Sequence, residues 1–197
     1  MFRSAAELQR RGLVQQRGVW RAILPPAIAN RLAAAALKSI PYSTIETSLI
    51  NGASERFVKS FSRRLGYLDS NAEAVLIVQR WFRVGGWLDK VADFNDFGAT
   101  ILNNIAPVAP DAVLSALERA ILESKSEDIV QSCSRYVPLL RSLAYEADLF
   151  ERSAALLMKI AEAQDNGRGR TGRPKHLLRF LRFTFLALTL RSTNGWR

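Results

Sequence analysis

The sequence has very few of the residues from which most catalytic and metal sites are built. It contains one cysteine, Cys133, and one histidine, His176. A single cysteine excludes a disulfide within the chain and a zinc site built from several cysteines. Cys133 lies in "IVQSCSRYV", where we expect a helix and a buried thiol that acts as a small apolar residue. His176 stands among basic residues, and we expect it to be solvated.

Motifs for nucleotide binding and hydrolysis are also absent. No glycine is followed by lysine, which excludes a P-loop, and neither His-Glu-x-x-His nor Gly-x-Ser-x-Gly occurs. The acids Glu127 and Asp128 lie at a predicted helix start, where they favour the helix dipole. Asp93 and Asp96 could share a helix face, but helix capping explains them better. The sequence therefore predicts no enzyme activity, no cofactor, no metal and no nucleotide.

Long apolar runs are missing. The longest, "FLRFTFLALTL" from Phe180, contains Arg182 and is too short to span a bilayer. The first residues, "MFRSAAELQRRG", lack the apolar segment of a signal peptide. We therefore expect a cytoplasmic protein without a transmembrane segment.

Acidic residues are unevenly distributed. The net charge of +10 divides into +6 for residues 1–40, −4 for residues 41–165 and +8 for residues 166–197, which hold no acid. The basic character therefore belongs to the two ends, and it gives no reason to expect that the middle of the chain binds nucleic acid.

Amphipathic helices of about twelve residues, separated by short turns, dominate residues 41–165. Pro26 and Pro110 suit first helical positions, and Ser54 and Gly66 suit the two ends of one helix. The pattern predicts a mainly α protein with antiparallel helix pairs, as in armadillo-like or tetratricopeptide-like arrays. Its expected core comprises Leu32, Phe57, Phe61, Leu65, Val75, Val78, Phe82, Ile101, Leu114, Leu117, Leu139, Leu143, Leu156 and Leu157.

The stretch "GLVQQRGVWRAILPP", residues 12–26, differs from the rest because β-branched and aromatic residues flank Arg17-Gly18. This pattern predicts a β-hairpin over residues 13–24. The helix "SAAELQRR", with Ser4 as its expected N-cap, precedes it. A short helix followed by strand, turn and strand is the end of a winged helix. We therefore expect a partial winged helix over residues 1–40 and a helical array over residues 41–165.

The most aromatic stretch is "QRWFRVGGWLDKVADFND", residues 79–96, in which basic residues are interleaved. Such a stretch can form a surface on which bases stack. The three- to four-residue spacing of its aromatic residues instead favours a place in the core.

Four segments, taken in order, resemble bacterial STAND-type NTPases: "RGLVQQRGVWRAILPPAIANRLAAAAL", "RRLGYLDSNAEAVLIVQRWF", "GGWL" and "NIAPVAPDAVLSALERAI". The resemblance covers about residues 5–163. In this family a P-loop ATPase domain is followed by a winged helix and a helical array that senses a ligand or partner. The ATPase motifs are absent here, so no nucleotide-binding residue carries over. The resemblance implies a non-catalytic regulatory or interaction fragment with a protein partner, and a truncated gene remnant as its origin.

A nucleic-acid-binding protein is the alternative. The basic residues around the hairpin, helped by the basic tail, would then contact phosphates. These residues are Arg3, Arg10, Arg11, Arg17 and Arg21. In STAND-type proteins the winged helix usually packs on the ATPase domain, and the arginines would have faced that domain instead.

The last segment, residues 166–197, loses both its acids and its helical pattern. We expect it to be disordered or, as our hypothesis, a frameshifted translation; a genuine basic tail is the alternative. The coding DNA decides between them, because a one-base shift must restore an open frame.

Overall fold

The protein is mainly helical in its computed structural model, which describes residues 2–17, 20–23, 25–124 and 132–167. The expected basic tail, with His176, and the acidic pair Glu127-Asp128 lie outside the described residues. The elements are α1 (Phe2–Arg10), β1 (Val14–Arg17), β2 (Trp20–Ile23), α2 (Pro26–Ser39), α3 (Tyr42–Ile45), α4 (Glu55–Gly66), α5 (Ala72–Trp81), α6 (Asp96–Ile105), α7 (Pro110–Glu123), α8 (Val137–Leu143) and α9 (Phe150–Gly167). A π-helical turn continues α3, and short 3₁₀ turns precede α6, α8 and α9.

The predicted hairpin is present. β1 and β2 pair antiparallel, with Val14 opposite Ile23 and Arg17 opposite Trp20. Gly12, whose φ of 70° is in the left-handed region, allows the chain to leave α1 and enter β1. α1 begins at Phe2, so the prediction of Ser4 as N-cap is wrong. The winged-helix interpretation stays a prediction.

The chain forms two compact units. The first comprises Met1–Trp87 and Thr100–Ala109, and the second comprises Leu88–Ala99 and Pro110–Arg197. The division between these units falls inside α6. The domain boundary expected at residue 40 stays a prediction. Within the described residues, no helix has the length and apolar character needed to cross a membrane.

In the first unit, α2 packs on α5 with a different face from the one predicted. Ala29 and Leu37 are buried, whereas Ile28 and Leu32 are 39% and 48% exposed. The sequence could not set the rotation of α2, because the alanines of "PAIANRLAAAALKS" lie on all sides of the helix. The placement of Leu32 in the core is therefore wrong.

The buried face of α4 also differs from the prediction. It consists of Val58, Ser62 and Leu65, while Phe57 is 39% exposed and Phe61 is half-buried. A serine takes the buried position because its hydroxyl finds hydrogen-bond partners there. The placement of Phe57 in the core is therefore wrong.

The rest of the predicted core is largely confirmed. Val75 and Phe61 are half-buried. The buried residues among those predicted are Leu65, Val78, Phe82, Ile101, Leu114, Leu117, Leu139, Leu143, Leu156 and Leu157.

In the second unit, α9 packs on α7 and α8. Cys133 is buried, as predicted, and burial raises the pKa of its thiol. The hydroxyl of Tyr136 donates a hydrogen bond to the carbonyl oxygen of Val91 at 3.0 Å. The segment around Pro138 is divided into a 3₁₀ turn, Ser134–Tyr136, and α8.

The first aromatic residues of the stretch 79–96 lie in the core and do not form a stacking surface. Trp81 is 1% exposed, and its ring meets those of Phe61 and Trp87 edge to face at centroid distances of 6.3 and 5.2 Å. Phe82 is buried beside it.

Candidate functional site: a polar groove along α4 and α6

Helices α4 and α6 approach each other closely in the first unit through small and polar residues. A Cβ atom added to Gly66 would lie 2.1 Å from the carbonyl oxygen of Asn104, nearer than a real Cβ can approach. Glycine is thus the residue that permits this contact. Beside it, the side-chain amide of Asn104 donates to the hydroxyl of Ser62 at 2.9 Å.

The buried hydroxyl of Ser62 is fully used. It accepts the Asn104 hydrogen bond and donates to the carbonyl oxygen of Lys59 at 3.0 Å. A buried hydroxyl without partners would destabilise the contact. These bonds fix the distance between the two helices.

A groove with a volume of 590 Å³ lies along this contact. The described residues that line it all have charged or polar side chains. α4 supplies Glu55, Arg56, Lys59, Ser60 and Arg63, and α6 supplies Thr100 and Asn104.

The cations of the groove share one face of α4. Arg56, Lys59 and Arg63 follow one another at three- and four-residue intervals, so they line up along the helix over about 10 Å. Against these three charges the lining has one carboxylate, that of Glu55 in the first turn, where the helix dipole stabilises it. The groove therefore favours an anionic ligand.

The structure describes the side chains of only two of the five arginines proposed for nucleic-acid binding. Arg10 and Arg11 are exposed, and both pair with the carboxylate of Glu7, Arg11 at 2.8 Å. The side chains of Arg3, Arg17 and Arg21 lie outside those that the structure describes. For Arg10 and Arg11, one carboxylate offsets part of the positive charge that would face a phosphate.

Of the acidic residues considered in the sequence analysis, the structure describes Asp93, at the end of a 3₁₀ turn, and Asp96, at the start of α6. The side chain of Asn95 caps α6 by accepting from the N–H of Gly98 at 3.0 Å, and Asp96 lies in the first turn, 3.6 Å from Arg135. The capping role expected of the aspartates thus falls to Asn95. Within the described ranges, no group of three or more acidic, cysteine or histidine side chains could hold a metal ion.

A second polar cluster surrounds Tyr42, which Arg80 overlies with its guanidinium 4.8 Å from the ring centroid. Burial and the charge of Glu46 raise the pKa of Tyr42, and the neighbouring Trp81 and Arg80 oppose that change. A hydroxyl that stays protonated at neutral pH is a poor general base. The cluster therefore joins elements of the first unit and gives no sign of chemistry.

Sequence reasoning did not find the groove. Its lining residues look like an ordinary solvated helix face when the partner helix is unknown. The signal that could have found it is the small pair Ser62 and Gly66, which are four residues apart and so lie on one side of α4.

No protein-family model, curated protein or solved structure gives a significant match to this chain.

Proposed function

We propose that this chain is a non-catalytic regulatory or interaction module, similar to the winged-helix end and helical array of STAND-type NTPases. The observation that carries the proposal is the groove along α4 and α6. It presents charge and hydrogen-bond donors along a helix pair, which suits the recognition of a protein partner. The expected absence of enzyme activity and of nucleotide binding is part of the same proposal.

The groove is more open than a typical small-molecule pocket. Pockets for small ligands and cofactors enclose most of the surface of the ligand. Here Ser60, Arg63 and Thr100, three of the described lining residues, are exposed. Such an open surface fits the rim-like contacts of a protein–protein interface.

Nucleic-acid binding is less well supported. Only Arg10 and Arg11 of the proposed phosphate-binding residues have described side chains, and they share Glu7. We therefore keep the basic hairpin as the alternative and test it beside the groove.

Site-directed photo-crosslinking tests the proposal directly. A photo-reactive residue in place of Ser60, in the groove, should give a specific cross-linked protein in cells. The same residue in place of exposed Gln79 on α5 is the matched control and should give none.

Two results would overturn the proposal. One is ATP hydrolysis that co-purifies with the chain through stringent purification. The other is cross-linking at Ser60 to nucleic acid alone. A titration with duplex DNA at two salt concentrations, using Arg10→Glu with Arg11→Glu, isolates the alternative, since phosphate contacts weaken steeply with salt.

A further inference from the structure

We infer that the groove binds a short acidic segment of a protein partner in the extended polyproline II conformation, with carboxylates that engage the two ends of the cation row. This inference rests on the proposed function and adds the chemistry of the partner. It follows from the charge of the described lining residues, from the length of the row and from the lack of aromatic side chains among those residues.

Charge complementarity selects an anionic occupant. Arg56, Lys59 and Arg63 outnumber the single carboxylate of Glu55. Arginine donates two parallel hydrogen bonds to a carboxylate, and lysine adds a point charge between the two arginines. The hydroxyls of Ser60 and Thr100 can donate or accept further hydrogen bonds at the groove walls.

The length of the row sets the spacing of the carboxylates. Arg56 and Arg63 are seven helical residues apart, a rise of about 10 Å. A peptide in the polyproline II conformation rises about 3.1 Å per residue with three residues per turn, so it covers the same distance in about three residues and places side chains three positions apart on one side. Two glutamates three positions apart in such a segment would therefore each meet one arginine, with the Lys59 ammonium between them.

The lining favours a peptide over a nucleic acid. Proteins that bind single strands stack bases on aromatic side chains, whereas the described residues that line this groove include no aromatic side chain. Phosphate-backbone binding relies on many cations, whereas this row supplies three and carries Glu55 at one end. An acidic peptide needs only the two ends of the row.

The test uses the full chain and a fluorescent peptide, Gly-Glu-Gly-Gly-Glu-Gly, followed by fluorescence anisotropy. Arg56→Glu with Arg63→Glu should weaken binding by about tenfold or more, which corresponds to about 1.4 kcal/mol. Both side chains are exposed, so folding should be retained, and far-UV circular dichroism checks this. Lys38→Glu with Arg83→Glu makes the same charge change at exposed positions outside the groove and should leave the affinity unchanged.

A second experiment reverses the charges of both the peptide and the groove. The peptide with lysines in place of both glutamates should bind the Arg56→Glu, Arg63→Glu variant better than the original chain. Glutamates placed next to each other should bind the original chain less tightly than glutamates three positions apart.

Three outcomes would overturn the inference. They are equal weakening by the control pair, no effect of charge exchange, and displacement of the peptide by lower concentrations of single-stranded DNA than of unlabelled peptide. None of these outcomes contradicts the proposed function, because a cross-link from position 60 to a protein partner does not require that the partner supplies an acidic peptide. Loss of that cross-link with retained peptide binding would instead remove the proposed function alone.

Discussion

Two helix pairs, one in each unit, use their arginines in opposite ways. In the second unit, Arg152 of α9 donates to both carboxylate oxygens of Glu118 on α7 at 2.7 and 2.9 Å, to Ser115 at 2.8 Å and to Asp111. These hydrogen bonds raise the pKa of Arg152. In the first unit, small and polar residues make the contact between α4 and α6, and the cations line a groove.

This difference separates charge that is held by carboxylates of a neighbouring helix from charge that lines a groove. A guanidinium surrounded by carboxylates of the neighbouring helix stabilises that helix pair and has little left to offer a ligand. In the first unit, Ser62, Gly66 and Asn104 make the contact between the helices, and the side chain of Arg63 lies exposed in the groove beside it. Stability and binding should therefore depend on different arginines in the two units.

The largest expected change in stability comes from a substitution that breaks the contact between α4 and α6 in the first unit. Gly66→Val places a side chain where the carbonyl of Asn104 already lies, so α4 and α6 must separate. We expect a loss of about 3 kcal/mol in the free energy of unfolding, measured by urea titration. Gln79→Ala, at an exposed helical position, is the control and should change it by about 0.5 kcal/mol at most. A loss below about 1 kcal/mol for Gly66→Val would mean that the contact is not tight.

The next effect belongs to the second unit and depends on pH. Burial, the main cause, raises the pKa of Tyr136 to about 12. Unfolded tyrosine ionises near pH 10, so the unfolded chain loses its proton first as the pH rises. The contribution is fully present below about pH 10 and falls by roughly 2–3 kcal/mol as the pH rises to about 12.

Tyr136→Phe removes this contribution. Its stability should decline less between pH 10 and 12 than that of the original chain, although the lost hydrogen bond to Val91 costs about 1 kcal/mol at neutral pH. Tyr145→Phe, at a residue that is 77% exposed, should follow the original profile. Parallel pH profiles for the original chain and Tyr136→Phe would contradict the prediction.

A smaller effect compares the two kinds of arginine directly. Arg152→Ala should lower the free energy of unfolding by about 1 kcal/mol, a modest value because the side chain is about one-third exposed. Arg63→Ala should change stability by about 0.5 kcal/mol at most and weaken binding of the acidic peptide. Chemical denaturation and anisotropy on both variants test the separation, and equal stability losses would contradict it.

The smallest effect tests the corrected rotation of α2. Leu32→Ala should cost less than about 1 kcal/mol, because the side chain is 48% exposed. Leu37→Ala, on the buried face, should cost about 2–3 kcal/mol. If Leu32→Ala lost more stability than Leu37→Ala in thermal or urea unfolding, the face of α2 predicted from the sequence would be correct.

These positions show how far the sequence alone could be interpreted. Local signals placed the elements: Pro26 and Pro110 begin helices, and the hairpin strands follow the β-branched residues. Local signals did not determine the rotation of α2, because its alanines lie on all sides of the helix. Local signals also could not predict that Ser62 is buried, because its hydroxyl depends on a hydrogen-bond partner 42 residues away, Asn104.

The missing Cβ of Gly66 also has an evolutionary consequence. Descendants of this sequence that keep α4 against α6 can exchange the cations of the groove and so acquire other partners, but they must retain glycine at this position. A substitution there would have to be accompanied by a shift of the whole helix. Position 66 should therefore change more slowly than the binding surface beside it, so partner choice can diverge while the architecture persists.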